Sequence, residues 1–170
     1  MKFRERSLMK LSIMLIIMIA TMGMGCSQIP EYEGVEIEDV VEIESEYYSN
    51  YPEEGSITKK ISSEEVFELE WERVHRGMDP VPGLPEINFE ERDLILLMLD
   101  TKPSGGYGID QVRVQVNDEQ LTVQYAEQHP GENCFTTQAL TRPYTFISIP
   151  KSNKEVKFLK GKTVINDCSE

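Results

Sequence analysis

Six apolar residues stand in a row from Leu94 to Leu99, and this run limits the fold more than any other stretch. A continuous run that short suits a strand buried on both faces. Asp100-Thr101-Lys102-Pro103-Ser104 then interrupts it with turn residues. Gly105 and Gly106 follow, and paired glycines permit positive φ and close backbone approach. Tyr107 leads into another extended segment. Leu94–Ile109 therefore reads as a strand, a tight turn and a second strand. A binding role for the loop Lys102–Tyr107 is compatible with that geometry.

Residues 1–25 read as a targeting segment rather than part of the fold. Lys2, Arg4, Arg6 and Lys10 form a basic start, Leu11–Ala20 is apolar, and small residues precede Cys26. This is the pattern of an exported lipoprotein, with diacylglyceryl placed on the Cys26 sulfur. Gly23 stands three residues before Cys26, where such a signal usually carries Leu. The competing reading is an uncleaved N-terminal anchor helix, since Leu8–Met24 is nearly long enough to span a bilayer. Both readings place the remainder outside the cytoplasm and attached to a membrane.

The full chain carries −13 at neutral pH. Its leader holds four basic residues and one acidic, so the remainder carries −16. A surface that acidic argues against nucleic acid as a partner, because phosphate contacts need Lys and Arg. It also argues against electrostatic adhesion to anionic lipid. With residues 1–25 removed, 145 residues remain, which suits one domain and a tether. The boundaries expected are a leader at 1–25, an acidic tether at 26–39 and a single domain at 40–170.

Three cysteines occur. With Cys26 acylated, Cys134 and Cys168 remain as an even pair in a non-cytosolic space, which favours a disulfide over two free thiols. Neither cysteine has metal-site spacing, and no metal or other cofactor is expected.

Val40–Tyr48 alternates apolar and acidic residues and reads as a first strand, with Ser56–Ile61 a short second one. Ser62 and Glu65 have capping-box spacing. Phe67, Trp71 and Val74 then mark one face of a helix of about fourteen residues, with Gly77 at its end. Trp71, the only tryptophan, is read as packing on a sheet, and His75 is given no chemistry. Pro80, Pro82 and Pro85 make Met78–Phe89 extended. Val112, Val114 and Val116 alternate with polar residues, as do Leu121, Val123 and Tyr125, which predicts a hairpin with one wet face. Glu127–Asn133 reads as a loop. Tyr144–Ile149 and Val156–Leu159 read as strands. Lys151, Lys154, Lys157, Lys160 and Lys162 gather around the second of these. They read either as protection of an edge strand or as a basic face for an acidic partner.

Several short motifs occur in a consistent order. Lys102-Pro103-Ser104-Gly105-Gly106-Tyr107 follows the apolar strand, a hairpin comes next, and Thr141-Arg142-Pro143-Tyr144 opens a later strand. Pro85-Glu86-Ile87-Asn88-Phe89 leads into the first strand, with Asn88 where Asp is expected. As a set, over about 85–158, these resemble the C-terminal domain of the PrcB-type protease-complex lipoproteins. The resemblance implies a non-catalytic accessory or stabilising subunit of a secreted or surface protease. It also marks Lys102–Tyr107 as a loop for structure or partner binding, and Thr141, Pro143 and Tyr144 as the lead into a family strand.

No catalytic constellation stands out. His75 and His129 have no nucleophile and carboxylate placed beside them in sequence, and the common nucleophile, zinc and phosphate-loop motifs are missing. S-x-x-K occurs at Ser56–Lys59 and Ser148–Lys151, with Pro150 breaking the helix that the second would need. The expectation is an α+β domain, mainly antiparallel sheet with one packed helix. It is lipid-anchored at the cell membrane, faces outward, and is not an enzyme. The alternative is a stand-alone binding module for a peptide, an envelope polymer or a small solute, using Gly105-Gly106-Tyr107.

Overall fold

The computed structural model describes residues 34–168. The leader, Cys26 and most of the expected tether lie outside the described residues. Nine strands and one helix follow in the order β1 (Val35–Glu36), β2 (Val41–Glu46), β3 (Ile57–Ile61), α1 (Glu64–Val74), β4 (Arg92–Met98), β5 (Gly108–Val116), β6 (Gln120–Pro130), β7 (Tyr144–Pro150), β8 (Glu155–Lys160) and β9 (Val164–Asn166). One sheet runs β2-β7-β4-β3, all antiparallel. The other runs β1-β5-β6-β8, with β9 also on β6, and its β6–β8 and β6–β9 pairs are parallel. The architecture is α+β and mostly antiparallel, as expected.

Leu94–Leu99 explains the layering. Leu94, Leu96 and Met98 pack with Phe67, Trp71, Val74 and Phe146, which is the helix side of the first sheet. Ile95, Leu97 and Leu99 pack with Val114, Leu121, Val123 and Ile149, which is the side facing the second sheet. Strand residues alternate in direction, so a strand covered on both faces must be apolar at every position. The helix forms the first layer, the β2-β7-β4-β3 sheet the middle one, and the β5-β6 sheet the third. Phe67, Trp71 and Val74 are buried, and both rings lie against Phe146 at 5.6 and 5.7 Å between centroids.

Several expectations are corrected. The helix has eleven residues, starts after Ser63, and has no side-chain cap. Ser62 is used elsewhere: its carbonyl takes Lys151 Nζ at 2.9 Å, and its hydroxyl faces Asp93. The stretch from β4 to β5 does hold two strands, but the connection from Met98 to Gly108 is a longer loop rather than a tight turn, because β4 and β5 belong to different sheets. The loop between them carries the chain from the middle layer to the outer one. Residues 127–130, read as loop, extend β6, pairing with β5 on one side and β9 on the other. Val35–Glu36, inside the stretch read as tether, pairs with Val116 and Gln115 of β5. Ile37 and Val40 pack on the inter-sheet core.

The lysine cluster is neither purely edge protection nor a free basic face. Lys151 pairs with the buried Asp93 at 2.9 Å, together with Lys60 at 3.0 Å. Lys154 holds the Asn117 and Asp118 carbonyls at 2.6 and 2.9 Å. Lys157 lies on the edge strand β8. Ser148 accepts from Arg92 Nε at 2.8 Å, and Lys151 is spent on Asp93, so that S-x-x-K match has no chemistry.

Candidate functional site

The two motif segments, far apart in sequence, are fastened to each other at one end of the sheets. Lys102 N–H donates to the Thr141 carbonyl at 2.8 Å, and Thr141 N–H returns to the Lys102 carbonyl at 3.0 Å. Thr141 Oγ1 donates to the Ser104 carbonyl at 2.7 Å, and Gly105 N–H to the Thr137 carbonyl at 2.9 Å. Leu99 N–H reaches the Pro143 carbonyl at 2.9 Å. Gly106 has φ +83°, and a Cβ there would lie 2.9 Å from both Pro130 and Thr136. This position needs glycine for backbone and for space alike. Pro103 is exposed on the surface of the loop.

Behind the loop lies a buried carboxylate. Glu127 sits at the end of β6, 3% exposed. One of its oxygens binds Lys102 Nζ and the other Lys160 Nζ. His129 Nε2 is 2.8 Å away. Burial alone would raise the Glu127 pKa, but hydrogen bonds from Lys102, Lys160 and His129 outweigh it and hold the pKa near 2. Burial works against the Lys102 charge as well, yet Asp100 at 2.6 Å and Glu127 raise its pKa above the ordinary value. Tyr107 is half-buried, its ring 4.9 Å from the His129 ring, with Lys102 Nζ 5.6 Å from the Tyr107 centroid. Lys102 and Tyr107, singled out in the sequence, thus meet Glu127 and His129, which were not.

Arg142, inside the second motif, was also missed. It is 6% exposed and donates to three backbone carbonyls: Leu99 at 3.3 Å, Tyr51 at 2.8 Å and Gly55 at 2.7 Å. Burial lowers its pKa. Its neighbours behave as structure. Thr141 and Pro143 are buried, and Tyr144 is core, with its hydroxyl 3.0 Å from His75 Nε2. His75 itself is buried, 2.9 Å from the Trp71 carbonyl and 3.2 Å from Glu44. The fold therefore brings a carboxylate to each histidine, which the sequence reading did not foresee. Glu127 and His129 are two apart on one strand and share a face; taking that stretch for a loop hid them.

Both oxygens of Glu127 are occupied by cations, so the group is an anchor rather than a base. Among the described residues, no cluster of three His, Cys, Asp or Glu side chains could hold a metal ion. Several apolar side chains near the motifs are exposed, among polar neighbours such as Asp100, Glu132 and Gln138. Tyr47 and Tyr48 are half exposed, Leu140 is 70% exposed, and Phe135 is fully exposed. Tyr48 and Leu140 share an open recess with Met78, Thr101 and Arg142. Aromatic and apolar side chains held out on a rigid base are what protein interfaces are built from. Cys134, next to Phe135, is disulfide-bonded to Cys168, which ties this loop to the C-terminal segment.

No curated protein and no solved structure matches the chain. A family model does match, over residues 94–150. That span begins in β4, ends with β7, and contains both interlocked motifs. Over that span, about a third of its length, the chain is similar to the family described as PrcB C-terminal.

Proposed function

We propose that the protein is a non-catalytic accessory subunit of a secreted or surface protease, held at the membrane by lipid on Cys26 and facing out of the cytoplasm. The observation that carries this reading is the family match over 94–150, which takes in the interlocked motifs. The exposed Tyr47, Tyr48, Phe135 and Leu140, of which Tyr48 and Leu140 share a recess, supply apolar anchors for the partner. Glu127, held by Lys102, Lys160 and His129, braces the base of the motif loop in this reading. The role is to stabilise or place the protease, with contacts made by side chains on a braced loop end.

Purification from native membranes in mild detergent tests the reading. A protease recovered in stoichiometric amount, and lost when Phe135 and Leu140 are changed to Ser, is the expected result. Retention of a small ligand or polymer by a monomeric chain would instead make it a stand-alone binding module. For the anchor, metabolic labelling with a fatty-acid analogue should mark the wild type and not Cys26→Ala. Equal labelling would remove the lipoprotein assignment.

A further inference from the structure

His75 closes α1 and is only 1% exposed. Its Nδ1 lies 2.9 Å from the Trp71 carbonyl, which can only accept, so Nδ1 carries a proton. Its Nε2 lies 3.2 Å from Glu44 Oε1 and 3.0 Å from the Tyr144 hydroxyl. In a neutral ring with the proton on Nδ1, Nε2 is a bare lone pair. A lone pair facing a carboxylate oxygen is repelled by it. The charged ring donates from both nitrogens and turns the same contact into an ion pair. Two surroundings favour that charge. The ring sits where the last carbonyls of a helix attract a cation, and its centroid is 4.2 Å from that of the Trp71 ring, within cation–π reach. Glu44 needs the charge in turn: among the described residues His75 is the only cation paired with it, and its Oε2 is buried without a hydrogen-bond partner.

Tyr144 supplies a second arrangement. Burial first, then the charges of Glu44 and Glu46, raise its pKa, so its hydroxyl keeps a proton to give. With His75 neutral, that hydroxyl donates to Nε2, and Glu44 loses its donor. The titratable groups at the ring are thus Glu44 from β2 and Tyr144 from β7, with Glu46 two places along β2 and the exposed Arg76 next in the chain. Glu44 lies on an edge strand: β2 pairs with β7 alone, and its register shifts between Glu42 and Glu44. Such an irregularity disrupts the ladder locally, so β2 has few other bonds to hold it there.

We propose that His75 is a pH-sensitive latch, which as an imidazolium ties the edge strand β2 to the end of α1 through Glu44, and which on losing its proton turns to Tyr144 and releases that strand. The latch needs the proton, so it is complete on the acid side of the imidazole titration and is lost as pH rises through it. Tyr47 and Tyr48 follow β2 directly, so they are held most firmly when the latch is closed. The device stands whether or not those residues meet a protease.

Nitrogen NMR of the histidine rings and native-state hydrogen exchange, both on the full-length chain in detergent, test the latch. At about pH 5 both ring nitrogens of His75 should carry protons, and at about pH 8 only Nδ1 should. Across that range the protection of β2 amides should fall by about tenfold, or about 1.4 kcal/mol. Protection of β3, the opposite edge of the same sheet, should stay level. Glu44→Gln should abolish the fall while β3 remains protected, which separates an opened latch from a lost fold. His129→Gln, which removes the other histidine, should leave the fall in place. A His75 ring that keeps one state throughout, or that is neutral with its proton on Nε2, would overturn the proposal. So would constant protection of β2, a fall matched by β3, or a fall that survives in Glu44→Gln.

Discussion

Leu96 and Leu97 are consecutive in the chain and lie in different cores. Both are fully buried, Leu96 with Phe67 and Trp71 against the helix, Leu97 with Val114 and Val123 between the sheets. Each should therefore be costly to truncate, by about 2–5 kcal/mol for Leu→Ala. Only one should be visible to the single tryptophan. Leu96→Ala is expected to shift the native emission of Trp71, while Leu97→Ala destabilises without shifting it. Denaturant melts together with native-state fluorescence check this. Identical spectral changes in both variants would contradict the two-core arrangement.

The run Leu94–Leu99 was readable as a doubly covered strand because alternation, which normally marks a wet face, is missing from it. The helix face at Phe67, Trp71 and Val74 and the β5–β6 hairpin were readable for the same reason: their patterns are local. What was not readable depended on partners distant in sequence. β9 pairs with residues 128–130 from more than thirty positions later, so Glu127–Asn133 looked like a loop. Glu127 gains meaning only when Lys102 and Lys160 arrive from two other segments. Arg142 stood in a motif without a role of its own because its acceptors are backbone carbonyls, which a sequence does not display.

Glu127 makes stability depend on acid. Its carboxyl has an ordinary value of 4.5 and a folded value of about 2. A depressed folded value means that the contribution is complete above pH 4.5 and is lost as pH falls from there toward 2. A shift of that size corresponds to about 3 kcal/mol. Glu127→Gln leaves Lys102 and Lys160 without their shared partner, so it should be clearly less stable at neutral pH. The gap from the wild type should shrink as pH falls through that window. Urea melts over a pH series measure it, and a gap that stays constant down to pH 2 would contradict the assignment.

Two glycines with the same backbone sign should respond differently. Gly106 and Gly55 have φ +83° and +80°. An added Cβ at Gly106 meets Pro130 and Thr136 at 2.9 Å, whereas at Gly55 nothing lies within 4 Å. Gly55→Ala should cost only the backbone term, about 1–2 kcal/mol. Gly106→Ala should cost more, and Gly106→Val more again. Equal losses for Gly55→Ala and Gly106→Ala in thermal melts would mean that the loop is not packed against Pro130 and Thr136.

The disulfide between Cys134 and Cys168 spans 34 residues. Its removal by Cys134→Ser with Cys168→Ser should lower stability by up to about 4 kcal/mol on the chain-entropy estimate. The Gly131 N–H bond to the Asn166 carbonyl and the β6–β9 pairing also hold this region, so the native fold should persist. In the denatured, unreduced wild type, neither cysteine should react with a thiol reagent. Reaction at both positions would show that the bond is not formed.

Arg142 offers a test of geometry against charge. Its guanidinium reaches the carbonyls of Leu99, Tyr51 and Gly55 at once, from three separate segments. The planar fork of arginine holds donors in three directions, while lysine carries a compact ammonium on a flexible stem. Hydrogen bonds from a charged donor contribute about 1.5–3 kcal/mol each, and a buried carbonyl left without its partner costs a further 1–3 kcal/mol or so. Arg142→Lys keeps the charge and cannot serve all three acceptors. It should therefore lose at least about 2 kcal/mol, close to the loss from Arg142→Ala. If the residue served only as a positive charge near Asp100, Glu53 and Glu54, whose charges partly oppose the burial that lowers its pKa, Arg142→Lys would melt like the wild type. That outcome would remove Arg142 from the framework that fixes the motif loop.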